Sequence, residues 1–500
     1  MILVEILEKN AREIPEKTAI IFHNIKINYR ELNETVNKLA NSLIEMGFGK
    51  GDRVGLMLPR IPELVISFLA VAKSQGIAVP INFELTDENI KTILNSISPR
   101  YLIVHSQFLD LARRCISCNL QVKIISVGDC NKKCISWNDI LNRENANNPN
   151  LDIGSDDIVY LNYTSGSTGD SKGALTTHAN IYWNTIASVD ALGLKRDDVH
   201  LCMFASFAHP HEIFARPLFL GGTMVLVDKI YPKSIAEAIS NYHVTCMMGI
   251  APIYENLLEV LEHKAYDINS LRIPESGGMY TRIELIEKFN QKLGVPIIPV
   301  WGSTETTGIA LAPNPDEHVP HGSVGKPGTS YEVKIVDEDD KELPPGETGE
   351  MIFKGPAVVQ GYYDDKGANN QLCFKYGWYY SGDLGRKDAE GNFYFVERKS
   401  GMMKVAGLKV YPQEVERILL DHPSIKEVAV IPVKDRLRGE VPKAIVVTKK
   451  GKVLTEREIL AFCRERLANY KLPKLIEIRE SFPKTGSGKI NKKALQMEHI

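Results

Sequence analysis

Between Tyr163 and Leu175 the chain reads YTSGSTGDSKGAL, three glycines and five hydroxyl side chains around a single lysine, Lys172. Glycine, serine and threonine weaken helix interiors and strand interiors alike, so this stretch is a loop whatever surrounds it. The apolar run before it, Ile158 to Leu161, reads as a strand that delivers the chain to the loop. Bare glycine backbone lets N–H groups approach an anion, hydroxyls add short donors and lysine adds a point charge, and together these suit a phosphate. A flexible linker has a similar composition but no use for the lysine.

The loop is not one of the two common phosphate loops. A Walker loop carries its lysine directly after the second glycine, whereas Lys172 precedes Gly173. Near the other end, PKTGSGKI sets Gly488 and Lys489 like the close of such a loop, but Pro483 and Ile490 stand where glycine and Ser/Thr are needed. No G-x-G-x-x-G opens a βαβ unit at the N-terminus.

Five hundred residues exceed what one core supports, so two or more domains are expected. A hydrophobic share of 44% with 24% charged residues is that of a globular protein, and a net charge of −2 gives no footprint for nucleic acid. Glu5 and Glu8 interrupt the first apolar stretch, unlike a signal peptide, and the run Leu64 to Ala72 is too short to span a bilayer. The expectation is a cytoplasmic enzyme without a membrane span.

The first half alternates short apolar runs with amphipathic ones, which predicts an α/β fold with helices covering the sheets. Arg53 to Leu58 and Ile77 to Ile81 read as strands around a helix from Pro62 to Gln75. Tyr101 to Val104 and Val122 to Val127 read as strands around a short helix, and Val295 to Val300 as another strand. From Ser323 to Phe395 β-formers and turn signals such as PPGETG and DAEGN predict a small, β-barrel-like section. After Arg398 an α+β unit follows, with helices at Pro412 to Leu420 and Glu456 to Leu467 and strands at Val428 to Val433 and Lys443 to Thr448. Cys115, Cys118, Cys130 and Cys134 fall as two close pairs eleven residues apart, a zinc-ribbon-like spacing that ordinary thiols of a βαβ piece match equally well.

Further motifs stand in order along the chain. WGSTET, Trp301 to Thr306, ends a strand with a hydroxyl and a carboxylate, Thr304 and Glu305, suited to phosphate and a hard cation such as Mg²⁺. GWYYSGDLG sets Asp383 in a glycine turn, where a carboxylate accepts from ribose hydroxyls or closes an Asx-turn. GEMIFKGPAVVQGYY precedes it, and ERKSGMMKVAGLKVYPQEVE and PKTGSGKINKKAL follow.

With these six motifs in this order, essentially the whole chain resembles the adenylate-forming superfamily of acyl- and aryl-CoA synthetases, peptide-synthetase adenylation domains and luciferases, and most closely the AMP-forming acyl-CoA synthetases. The resemblance implies a large N-terminal adenylation domain, residues 1–398, and a mobile C-terminal domain, residues 399–500. It implies that a carboxylic acid is joined to ATP with release of pyrophosphate, and that the acyl group then passes to CoA. A carrier-protein phosphopantetheine is the alternative acceptor, although only eleven residues follow Lys489. A non-catalytic nucleotide sensor is a further alternative.

By matching position, the resemblance makes Thr164, Ser165, Gly166, Ser167, Thr168, Gly169 and Lys172 the pyrophosphate cradle. Gly277, Gly278, Met279, Trp301, Gly302 and Ser303 border the nucleotide, Asp383 and Arg398 take the ribose, and Thr304 the α-phosphate. Glu305 becomes the Mg²⁺ ligand and Lys489 the catalytic lysine. Phe207, His209, Gly278, Trp301 and Gly308 line the acyl pocket. Val405, Ala406 and Gly407 face the thiol arm, and Ser400 is the hinge. Three features depart from the family pattern. FASFAH replaces the usual Pro-Leu-Phe-His, Ser400 replaces Asp or Lys at the hinge, and Glu397 replaces the glycine before the arginine. His209, His211 and Arg216 fit either a polar or dicarboxylic acid or an exposed helix face, and the latter is the preferred reading.

Overall fold

The computed structural model describes residues 2–129, 134–142, 145–164, 172–363, 368–406, 408–435, 437–484 and 490–498. The chain forms two compact units, Met1–Val333 with Phe353–Tyr379, and Lys334–Ile352 with Tyr380–Ile500. The division falls inside three strands, Glu332–Val336, Gly349–Lys354 and Trp378–Lys387.

The first unit is built on two seven-stranded sheets. One runs Ile135–Ser136, Lys123–Val127, Tyr101–His105, Arg53–Met57, Ile77–Pro80, Ile158–Thr164, Lys172–Thr177, parallel except for its last pair. The other runs Ile298–Pro299, Ile273–Ser276, Cys246–Gly249, Val199–Cys202, Thr223–Leu226, Thr18–Phe22, Ile25–Asn28, again with only the last pair antiparallel. Parallel strands need helical crossovers, and helices on the faces bury both sides of a sheet, so these strands read as unbroken apolar runs. The helix Pro62–Lys73 is buried along its whole length, and Phe68 and Leu69 share one apolar cluster with Val54 and Ile103 of the first sheet and Ile20 and Met224 of the second.

Element boundaries follow local chemistry. The helix expected to reach Gln75 ends at Lys73, because Gln75 takes a left-handed φ of 57° that helical backbone excludes. The strand expected over Val295 to Val300 is only Ile298–Pro299, as Pro296 and Pro299 lack the N–H that a ladder uses. The section from Ser323 to Phe395 is strand-rich as expected and adds a short helix, Ala368–Cys373.

In the second unit Leu408–Val410, Met403–Val405, Gly439–Thr448 and Ile425–Asp435 form a sheet in that order, and Leu475–Arg479 joins the Gly439–Thr448 strand in parallel. Helices Pro412–Leu420 and Glu456–Arg464 bury Val415, Leu419, Ile459 and Cys463 on one face. Leu495 of helix Lys492–Met497 packs with Ile431 and Val447 on the other. Thr455 and Glu458 close a capping box at the start of Glu456–Arg464, which fixes where that helix begins.

Candidate active site

In the first unit the strands Ile158–Thr164 and Lys172–Thr177 pair antiparallel with Thr164 opposite Lys172. Ser165, Gly166, Ser167, Thr168 and Gly169 lie outside the described residues, as does the side chain of Thr164. Residues 361–363 run alongside the second strand. The Tyr363 amide donates to the Gly173 carbonyl at 2.7 Å, the Leu175 amide donates to that of Gly361 at 3.0 Å, and Ala174 bridges Tyr362. This brings the Tyr362 ring beside Lys172, whose ammonium lies 5.5 Å from the ring centroid.

Tyr362 also meets Glu305. Its hydroxyl donates to Glu305 Oε1 at 2.6 Å, and the Tyr379 hydroxyl donates to Oε2 at 3.0 Å. Burial and the Glu305 charge push the Tyr362 phenol well above its usual range, so it remains a donor. The backbone carbonyl of Glu305 accepts from the Val359 amide at 2.9 Å, which fixes the carboxylate from behind. A carboxylate has about four acceptor positions, so two phenol hydroxyls orient Glu305 and leave lone pairs for a cation.

The WGSTET segment is a tight hairpin rather than a helix start. Trp301–Ser303 pairs antiparallel with Gly308–Ala312, and Thr304 is buried in the turn. The Thr306 hydroxyl accepts from the Ser303 amide at 2.9 Å and lies 2.8 Å from the Gly308 carbonyl, to which it donates. A Cβ at Gly302 would stand 2.2 Å from the Gly308 carbonyl oxygen, so only glycine allows this approach. Trp301 stacks on Phe353 with ring centroids 4.4 Å apart and planes 4° from parallel.

Gly277, Gly278 and Met279 follow the strand Ile273–Ser276. Gly278 takes a φ of 76°, and Met279 is exposed. Phe207 packs edge-to-face on Phe83, which stacks on Phe108, while His209 lies near Phe204 and His211.

His211 and Arg216 are not on an exposed helix face, since both are buried. Arg216 donates to Glu212 Oε2 at 2.6 and 3.0 Å and to both Glu275 oxygens at 2.8 and 2.9 Å. His211 Nδ1 pairs with the Tyr160 hydroxyl at 2.7 Å. Burial, with the Glu212 charge, holds the Glu275 carboxyl above its usual range against Arg216, whereas for Glu212 burial is outweighed by Arg216 and the nearby His211 and His209 together. A Cβ on Gly308 would stand 2.4 Å from Glu212 Oε1, so this ionic cluster lies directly behind Gly308. The four-residue spacing of Glu212 and Arg216 is visible in the sequence, but nothing local points to Glu275, fifty-nine residues beyond Arg216.

In the second unit Asp383 and Arg398 stand directly opposite each other on the antiparallel strands Trp378–Lys387 and Phe393–Arg398. Arg398 Nε lies 2.7 Å from Asp383 Oδ1, with the aspartate buried and the guanidinium largely exposed. Ser381 supports the pair, its hydroxyl accepting from the Asp383 amide at 3.1 Å and donating to the Met351 carbonyl at 2.6 Å. Ser400 lies in the single turn Lys399–Gly401, its side chain outside the described residues. Val405 ends the strand Met403–Val405, and Ala406 just beyond it takes a φ of 50° while its amide donates to the Arg438 carbonyl at 2.9 Å. Gly407 and Lys489 lie outside the described residues, and the bridge between Lys484 and Ile490 brackets the latter.

Of the four cysteines read as a possible zinc set, Cys115 is buried in the first sheet's core, Cys118 is exposed, Cys134 packs against that core, and Cys130 lies outside the described residues. Among the described residues the only group arranged like metal ligands is Asp198, His200 and Cys246, and Arg272, Thr245 and the Lys195 amide already donate to both Asp198 oxygens.

Residues 7–363 match the model of the AMP-binding enzyme family, and residues 414–489 match that of the AMP-binding enzyme C-terminal domain. The chain belongs to the AMP-binding enzyme family. This AMP-binding enzyme is 32% identical to a long-chain-fatty-acid–CoA ligase of Bacillus subtilis (strain 168), over 99% of its own length and 94% of that protein's. It superimposes with a TM-score of 0.92 on an anthranilate CoA ligase in complex with anthranoyl-AMP, at 30% identity, covering 100% of this chain and 97% of that one. It also superimposes on the o-succinylbenzoate CoA synthetase of Bacillus subtilis in complex with ATP and magnesium, with a TM-score of 0.86 and 27% identity over 98% of this chain and 99% of that one. The enzyme is an ATP-dependent, AMP-forming acid–CoA ligase that uses ATP, CoA and a small carboxylic acid. Among its described residues no helix is long and apolar enough to cross a membrane.

Proposed function

We propose that the enzyme activates a monocarboxylic acid with an apolar or aromatic body. The adenylation reading rests above all on one observation, an ammonium and an oriented carboxylate, Lys172 and Glu305, set about the single ring of Tyr362. Thr164, Ser165, Gly166, Ser167, Thr168 and Gly169, with Lys172, neutralise the departing pyrophosphate. Glu305 fits Mg²⁺, a hard cation that takes one or two carboxylates plus phosphate oxygens, and the ion supplies charge neutralisation at the phosphates. Thr304 donates to the α-phosphate. Asp383 accepts from the ribose hydroxyls and Arg398 orients Asp383. Gly277, Gly278, Met279, Trp301, Gly302 and Ser303 surround the adenine.

An acid oxygen attacks the α-phosphorus, the bond to the bridging oxygen breaks, and pyrophosphate leaves with that electron pair. No general base is required because the acid is already ionised. The chain's work is to position two anions and neutralise charge growing on the equatorial oxygens, a task assigned to Lys489. The CoA thiol then gives up its proton to solvent, its sulfur bonds to the acyl carbon, and the acyl carbon–oxygen bond to AMP breaks so that AMP leaves with that electron pair. In this reading Val405, Ala406 and Gly407 pass the thiol arm after residues 399–500 turn about Ser400 relative to residues 1–398.

Arg216 is neutralised by Glu212 and Glu275, which argues against its recognising a second substrate carboxylate. Phe207, held against Phe83, favours an apolar body beside His209 and Gly308. The test is ATP-dependent pyrophosphate release over a panel of aliphatic, aromatic and dicarboxylic acids, with CoA, with a phosphopantetheinylated carrier protein, or with neither. Apolar monocarboxylic acids should release pyrophosphate and CoA should be the acceptor. A dicarboxylic acid as best substrate, or transfer to the carrier protein alone, would reject this reading.

A further inference from the structure

We infer that Glu397 is a positioning residue that latches the hinge in the orientation used for adenylation. The inference rests on the hinge reading of Ser400 given above. Glu397 is the last residue but one of the strand Phe393–Arg398, three residues before Ser400, and it is buried. Oε1 accepts from the Arg398 amide at 2.8 Å, and Oε2 accepts from the Gln413 amide at 2.6 Å. Gln413 is the second residue of helix Pro412–Leu420, where the first amides lack intrahelical partners and the helix dipole favours an anion. Pro412 ahead of it has no N–H, so Gln413 offers the first free donor of that helix.

Lys492 completes the contact. Its ammonium lies 2.7 Å from Glu416 on the same helix. Burial works to lower the Lys492 pKa, but the charges of Glu416 and Glu397 together raise it, so the lysine stays a cation. Burial raises the Glu397 carboxyl, with Lys492 and the two amides opposing.

The partners lie on opposite sides of the hinge. Glu397 precedes Ser400 and is contiguous with Arg398, the partner of Asp383. Gln413, Glu416 and Lys492 follow the hinge, and Lys492 sits three residues beyond Lys489. The contact therefore ties the segment leading from the catalytic lysine to the strand that carries the ribose pair. A turn of the C-terminal domain about Ser400 must pull Glu397 away from the Gln413 amide. The two half-reactions thus have opposite needs, since adenylation requires the latch closed and thiol transfer requires it open.

The experiment compares wild type, Glu397→Ala and Glu397→Gln in three measurements: pyrophosphate release, single-turnover transfer to CoA from a supplied acyl-adenylate, and the rate of tryptic cleavage between Lys399 and Lys404. Two hydrogen bonds to a charged group are lost in the alanine variant, so adenylation should slow about tenfold or more. Transfer from the supplied adenylate should be unchanged or faster, and cleavage should accelerate. Glu397→Gln keeps one acceptor and should fall between, and it carries the test if the alanine variant does not fold. A proportional loss in both half-reactions, or none in either, with unchanged cleavage overturns the latch and leaves the ligase reading standing. If wild type releases no pyrophosphate with any acid, the ligase reading fails, and the cleavage comparison still decides whether Glu397 restrains this joint.

Discussion

At the scale of single residues, the decisive arrangement is a carboxylate oriented by two phenols. Tyr362→Phe removes one hydrogen bond to Glu305, so pyrophosphate release should fall about tenfold and need more Mg²⁺ for half-saturation. Glu305→Gln should lose roughly a hundredfold, as expected when one charge-stabilising group is removed. Both are read by pyrophosphate release during a magnesium titration, and an unchanged magnesium dependence in Tyr362→Phe would refute the orienting role. Asp383→Ala should raise the KM for ATP about tenfold while sparing the KM for the acid, because hydrogen bonds to a charged group are worth about 1.5–3 kcal/mol. Glu305, Asp383 and Arg398 stand out in the sequence as candidates because each sits in a short motif with a residue type suited to the proposed role. Tyr362 and Tyr379 do not, since phenols are common in cores and these two lie 57 and 74 residues from the carboxylate they orient. Glu397 was legible only as a departure from a pattern. Its partner is a backbone amide sixteen residues away, which no residue type announces.

At the scale of elements, the hairpin through Trp301 and Gly308 determines where Glu305 points. Gly302→Ala would drive a methyl into the Gly308 backbone, and backbone cannot yield as a side-chain tip can. The variant should be less stable by about 1–3 kcal/mol, the usual range for overpacking, and a lowered thermal midpoint accompanied by lost adenylation is the expected result. Full stability would show that the two strands separate freely. Apolar periodicity made the parallel strands and the helices Pro62–Lys73 and Pro412–Leu420 readable, because buried elements leave long uninterrupted signals. It failed for this hairpin. The strand Trp301–Ser303 has three residues, one of them glycine, and its pairing depends on close backbone approach rather than on apolar pattern.

At the scale of the whole molecule, acid sensitivity is built into the first unit. Burial lowers His178 and His211 to about 4 and His200 to about 3, from an ordinary value of 6.5. Between those values the unfolded chain binds protons that the folded chain refuses, so stability rises with pH. It is complete above about 6.5 and is lost as pH falls toward about 4, with each histidine giving up roughly 2 kcal/mol by pH 5. Thermal midpoints measured from pH 7.5 to pH 5 should drop by several degrees, and His178→Gln should flatten the slope; a slope unchanged in that variant would remove His178 from this account. The parallel order of the second sheet has another consequence, for synthesis. The strand Thr18–Phe22 pairs with Thr223–Leu226, and no other described strand flanks it on that side. A ribosome making about 5–20 residues per second needs roughly 10–40 s to supply that partner. Throughout that interval the nascent chain carries Ile20 and Ile21, buried in the folded protein, without that neighbouring strand. The order in which the strands are laid down thus leaves one edge of the strand Thr18–Phe22 unpaired until more than two hundred further residues have been made.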